Sequence, residues 1–148
     1  MPGSSHVGRE VPGMSKQTYR GSCHCQAVKY ELDADLSKGT GKCNCSFCAK
    51  VRNWTVMVKP PDLRITGEDS LTDYRFRADS VNRHRFCKVC GVRICTAGHV
   101  AELGGDFVSV SVPTVDGLSE AELAALPVRC MDGRADNWFQ EPAVRSHM

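Results

Sequence analysis

Seven of the nine cysteines in this sequence fall into three short clusters: Cys23-His24-Cys25, Cys43-Asn44-Cys45-Ser46-Phe47-Cys48 and Cys87-Lys88-Val89-Cys90. Neighbouring thiols of a Cys-x-Cys lie on one local segment, where a strain-free disulfide is difficult to close. Thiols clustered in this way are metal ligands more often than disulfide partners, and zinc is the ion that a set of sulfurs suits best. A chain that returns remote sulfurs to shared ions is constrained before any secondary structure is considered, because the loops between clusters must come back to the same place.

The middle cluster sets the functional question. Spacings of two and three residues turn three sulfurs toward one point without help from elsewhere. A structural zinc has four protein ligands, whereas a catalytic zinc has three and leaves one position to water or substrate.

Composition narrows the class. A chain of 148 residues is one domain's worth and buries roughly 70% of its unfolded surface when compact. A formal net charge of +2 with 24% charged residues sets up no strong overall field, so neither nucleic acid nor an anionic membrane is expected as a partner. No run approaches the ~18 apolar residues of a membrane span. The first sixteen residues lack the apolar stretch of a signal peptide, so the expected location is cytoplasmic, where thiols stay reduced. Residues 1–16, with several Gly, Ser and Pro, are expected to be a disordered extension, residues 17–140 a single zinc-binding domain, and residues 141–148 a frayed end.

The pattern between the clusters is that of an antiparallel, mainly β domain. Residues 28–32 alternate as a half-buried strand, residues 54–58 are β-branched and stopped by Pro60-Pro61, and 63–65 and 71–76 follow as short strands around a turn at 67–70. Residues 107–112 form the clearest strand, with valines on one face and serines on the other. Ser119 followed by Glu120, Ala121, Glu122 and Leu123 predicts one short C-terminal helix, ended by Pro127. Trp138 and Phe139 are expected to pack back on the core. Gly91 after Cys90 gives the backbone freedom of a zinc knuckle. The alternative for Cys87/Cys90, a redox pair, would open a helix in a βαβ setting, which the pattern lacks.

Cys23, Cys25, Cys87 and Cys90 together make a four-thiolate set that suits a closed structural zinc, leaving Cys43, Cys45 and Cys48 as a trio. Spacing alone leaves other distributions over two metals open. The order Gly-x-Cys-His-Cys, Cys-x-Cys-Ser-x-Cys, Phe-Cys-x-x-Cys-Gly resembles the glutathione-dependent formaldehyde-activating enzyme family, which also includes centromere protein V, over about residues 19–112. The resemblance implies a β-tent of antiparallel sheets with zinc knuckles. It also implies two zinc ions, one structural at Cys23, Cys25, Cys87 and Cys90 and one in the active site at Cys43, Cys45 and Cys48. The activity it implies is that of a carbon–sulfur lyase, S-(hydroxymethyl)glutathione synthase-like. Two departures stand out: Gln26 where the family usually has glycine, and Ala49-Lys50-Val51-Arg52-Asn53 in place of a more basic, glycine-containing run.

The chemistry expected at the trio is binding of a small-molecule thiol such as glutathione, and addition of formaldehyde or another small electrophile to its sulfur. The alternatives are a glutathione carrier and a non-catalytic interaction module. No catalytic residue is assigned beyond the metal ligands. Arg52 is the candidate partner for a glutathione carboxylate. Arg75, Arg77, Arg83 and Arg85 alternate and share a face if the chain turns at 78–80. Of the histidines, His24 points away from the metal and His84 and His99 are candidates for proton transfer. Cys95 and Cys130 are expected to be core thiols, and Cys95 is the residue that would close the trio into a structural site.

Overall fold

The alternation that opens the chain builds a small sheet. β1 (Gln17–Ser22) and β2 (Lys29–Ala34) pair antiparallel, with Tyr19 opposite Leu32 and Gly21 opposite Tyr30. β5 (Leu63–Thr66) joins the free edge of β2. Every second residue of β2 is buried, Tyr30, Leu32 and Ala34, as a strand with one dry face requires. Tyr30 crosses Gly21 so closely that a Cβ there would lie 2.1 Å from its ring, and its hydroxyl meets Thr114 Oγ1 at 2.8 Å in the interior.

This computed structural model describes residues 15–148, so most of the expected N-terminal extension lies outside the described residues. A second sheet of seven strands runs in the order β10-β3-β4-β9-β8-β7-β6. Its members are β3 (Thr40–Cys43), β4 (Thr55–Val58), β6 (Leu71–Tyr74), β7 (Arg83–Cys87), β8 (Arg93–Val100), β9 (Gly105–Ser111) and β10 (Val128–Met131). The fold is mainly β, as expected. It departs from a purely antiparallel arrangement at β10, which pairs parallel with β3. The connection that reaches β10 includes the helix α2 (Glu120–Ala125), and parallel neighbours need such a crossover.

Helix α2 is capped as its sequence predicts, with the Ser119 hydroxyl accepting from the Glu122 N–H and the Glu122 carboxylate accepting from the Ser119 N–H. A second short helix, α1 (Ser46–Val51), is absent from the sequence reading, and it carries part of the middle cysteine cluster. The two sheets share one core, in which Leu32 and Leu36 meet Val56, Ile94, Val110 and Val112. Fully burying each such side chain contributes about 1.5–3 kcal/mol.

Candidate metal centres

The first centre joins the two sheets. Cys23 and Cys25 follow β1 in a turn closed by Cys23 N–H to Val28 C=O at 3.0 Å and Gln26 N–H to Cys23 C=O at 3.2 Å. Gln26 takes the left-handed conformation there, φ +66°. Cys87 ends β7 and Cys90 lies in the turn after it, where Gly91 at φ +80° reverses the chain and donates its N–H to Cys87 C=O at 2.8 Å. The N–H groups of Val89 and Cys90 point at Cys87 Sγ from 3.4 and 3.5 Å, and that of Val28 points at Cys23 Sγ from 3.4 Å. Such donors favour thiolates. The Cys90 thiol is lowered to about 6, first by the backbone N–H of Cys25 and then by that of Val92.

The four sulfurs of Cys23, Cys25, Cys87 and Cys90 lie within 4.8 Å of one another. The separations Cys23–Cys25 and Cys25–Cys87 are 3.6 and 3.7 Å, against about 3.8 Å for the edge of a tetrahedron with 2.3 Å zinc–sulfur bonds. The set therefore fits zinc.

The second cluster is built at the junction of β3 and α1. Cys43 is the last residue of β3 and is buried, 5% exposed. Cys45 caps α1, its sulfur accepting the Cys48 N–H at 3.4 Å, while Cys43 Sγ accepts the Cys45 N–H at 3.4 Å. A sulfur here does what a Ser or Asp oxygen does at other helix starts, which is why the helix begins at this place. Cys43, Cys45 and Cys48 bring their sulfurs within 4.8 Å of one another. The Cys45 thiol is pulled well below the ordinary thiol range, first by hydrogen bonding from the Cys43 thiol, then by that of Cys48 and the nearby backbone N–H groups. This set too can hold a metal ion, with three protein ligands.

Two neighbourhoods close around the trio. On one side the loop after β10 clasps it. Asn44, 8% exposed, donates to Asp132 Oδ1 at 3.0 Å and accepts the Arg134 N–H at 2.9 Å. Gly133 lies so near that a Cβ there would sit 2.7 Å from Cys43 Sγ and 2.5 Å from the Trp138 ring. On another side, the Phe47 ring stacks on His84 at 3.8 Å between centroids, with Tyr74 at 5.9 Å and Phe76 at 5.8 Å. Arg93 stands 5.5 Å from the Phe47 centroid and donates to Asn53 Oδ1 at 2.8 Å and to Thr96 Oγ1. Thr96 Oγ1 is also 2.8 Å from His84 Nδ1. Burial, and then the charge of Arg93, draw His84 below its usual value and so keep the ring neutral.

The structure redistributes several expected residues. Arg52 caps α1 at φ +54° and its Nη1 donates to the carbonyl of His147 at 3.0 Å. Lys42 Nζ donates to the carbonyl of Met148 at 3.3 Å. The last residues, expected to fray, thus return to the cations flanking the trio. Arg83 and Arg85 share a face, as the alternation predicts, but it is the face turned from the trio. They pair with Asp73 at 3.2 and 3.0 Å and line a cavity of about 560 Å³ between the sheets. His99, bonded to Asp106 at 2.7 Å, borders the same cavity. His24 is exposed.

Cys95 is a core thiol, 1% exposed and pushed up to about 11 by burial. It pairs in register with Arg85 and stays outside the trio. Cys130 is half-buried on the outermost strand of its sheet rather than in the core. Trp138 and Phe139 do not enter the core either, being 42% and 76% exposed. Trp138 closes over Gly133, a position no local pattern announces. The sequence carries no local mark of Arg93 at this site. Tyr74 and Phe76 do leave a signal, because the alternation that groups the arginines of the hairpin places Tyr74, Phe76 and His84 on its opposite face.

Two packed sheets carrying thiol clusters at strand ends and turns, one cluster of four and one of three, define a β-domain whose cysteines can hold metal ions. The sequence profile of the family described as glutathione-dependent formaldehyde-activating enzyme matches residues 18–127, and the chain belongs to that family. A crystal structure of a Rhodobacter sphaeroides protein superposes with a TM-score of 0.61 at 26% identity, covering 74% of this chain and 99% of that one.

Proposed function

We propose that this protein is a zinc-dependent, carbon–sulfur lyase-like enzyme. It acts on adducts of glutathione, or a related thiol, with formaldehyde or another small electrophile. The trio carries the reading: three sulfurs gathered at one point with no fourth Cys, His, Asp or Glu ligand among the described residues. Cys23, Cys25, Cys87 and Cys90 hold a structural zinc, and Cys43, Cys45 and Cys48 hold the ion of the active site. An ion held there would supply Lewis-acid chemistry that favours the ionised form of a thiol near neutral pH.

The chain's own groups do the rest. Arg93, held by Asn53 and Thr96, offsets the negative charge of the thiolates and adds no ligand. Lys42 and Arg52 exchange their backbone carbonyls for the two carboxylates of glutathione, a stronger, charge-assisted pairing. In the forward direction the thiol adds across the aldehyde C=O, so that a sulfur–carbon bond forms and the thiol proton ends on oxygen. Run backwards, the same step cleaves the carbon–sulfur bond. Nine cysteines without a disulfide fit the reducing conditions of the cytoplasm.

Formaldehyde and glutathione combine without help, so the test is an acceleration over that background. Exchange spectroscopy on the equilibrated mixture should show faster exchange with zinc-loaded protein than with buffer, and Cys48→Ser should remove the excess. If the wild type adds nothing across several thiols and aldehydes, a carrier or a non-catalytic zinc module replaces the enzyme.

A further inference from the structure

Four rings crowd one side of the trio. Phe47 stands between Cys45 and Cys48 in the chain, on the turn that carries both. Behind it His84 stacks at 3.8 Å and Arg93 stands at 5.5 Å, held by its bonds to Asn53 and Thr96. In front, Tyr74 and Phe76 lie 6.0 Å apart, each within 6 Å of Phe47, and are 47% and 50% exposed. Aromatic side chains of this size usually bury most of their surface. Here two half-open rings pack on Phe47 and His84, which fill the space behind them. The chain leaves the patch at Arg77 and Asp79, an ion pair 79% and 83% exposed.

A one-carbon electrophile has no group that would reach such a surface. We propose that Tyr74 and Phe76 form a stacking platform for the substituent of the electrophile, so that the site takes thiol adducts of aldehydes bearing an aromatic or similarly flat apolar group. The proposal rests on the reading of the trio as a centre for thiol–aldehyde adducts and names their class. The reaction is unchanged in balance: the thiol S–H adds across C=O, sulfur bonds to carbon, the proton goes to oxygen, and nothing is oxidised or reduced. The platform adds ring-to-ring contact in the geometry aromatic pairs prefer, offset or tilted.

Two thioethers that mimic the adducts test this by calorimetry on the zinc-loaded protein. S-benzylglutathione should bind roughly tenfold more tightly than S-methylglutathione, the size expected of one good ring contact plus its buried area. Both positions are half-exposed, so the double variant Tyr74→Ala/Phe76→Ala should fold. In it S-benzylglutathione should fall to the affinity of S-methylglutathione, whose own affinity should not move. Tyr74→Phe, which keeps the ring, should keep the preference. Equal affinity for the two thioethers in the wild type overturns the platform, and the proposed function then still stands if the protein accelerates formaldehyde–glutathione exchange. Absence of both binding and exchange removes the platform and the function together.

Discussion

Gln26 holds φ +66° in the turn that aims Cys23 and Cys25, and its side chain is exposed. A non-glycine residue in the left-handed region costs roughly 1–2 kcal/mol, while glycine gives back roughly 0.5–1 kcal/mol through its looser unfolded chain. Gln26→Gly should therefore stabilise the protein by about 0.5–1 kcal/mol, read as a Tm a few degrees higher with the metal content unchanged. A lower Tm would mean that the glutamine side chain itself holds the turn. In sequence this position was visible only as a departure from a resembled family; the backbone supplies its physical reason. Gly133 is the opposite case, since its 2.7 Å approach to Cys43 Sγ comes from a loop ninety residues downstream and leaves no local trace.

At the scale of elements, α1 explains why the middle cluster is compact. Its six residues, SFCAKV, are too short for an apolar period to show, and its start depends on a sulfur acting as cap. In the hairpin β6–β7, pairing of Tyr74 with His84 and Asp73 with Arg85 turns Arg83 and Arg85 to the inter-sheet cavity and Tyr74 and His84 toward Phe47, while Arg75 and Arg77 bond within the turn, to Ala78 and Asp79. The two thiol clusters sit differently on their elements. Cys87 ends β7 of the larger sheet and shares its centre with the turn after β1 of the smaller one, whereas Cys43, Cys45 and Cys48 belong to one continuous segment. Cys87→Ser should thus lower thermal stability by several degrees or prevent folding, while Cys45→Ser should chiefly reduce zinc content by one equivalent. Similar losses of Tm in the two variants would show that the centres play equal parts.

Across the whole molecule, the first centre and the shared core hold the same two sheets together. The trio holds only a local turn, although Asn44 and Gly133 link it to the loop after β10. Metal removal should therefore proceed in two stages. Titration with a chelator, followed by released zinc and by near-ultraviolet circular dichroism, should first take the ion with three protein ligands and leave the tertiary signal nearly intact. The second ion should follow at higher chelator, together with loss of the tertiary signal. Release of both in one step with unfolding would overturn this division.

What the sequence determined by itself is what local spacing can encode. The cysteine clusters, the valine–serine alternation of β9, the proline that ends β4 and the Ser119 cap of α2 all act within a few residues, and each forms where the pattern puts it. Tertiary structure decided what depends on pairing between distant strands. The parallel placement of β10, the burial of Cys95 away from the trio, and the meeting of His84 and Tyr74 against Phe47 follow from strand register, while the return of His147 and Met148 to Arg52 and Lys42 depends on the path of the C-terminal segment. Register is set by which faces the core buries, and a single residue's neighbours along the chain do not carry that information.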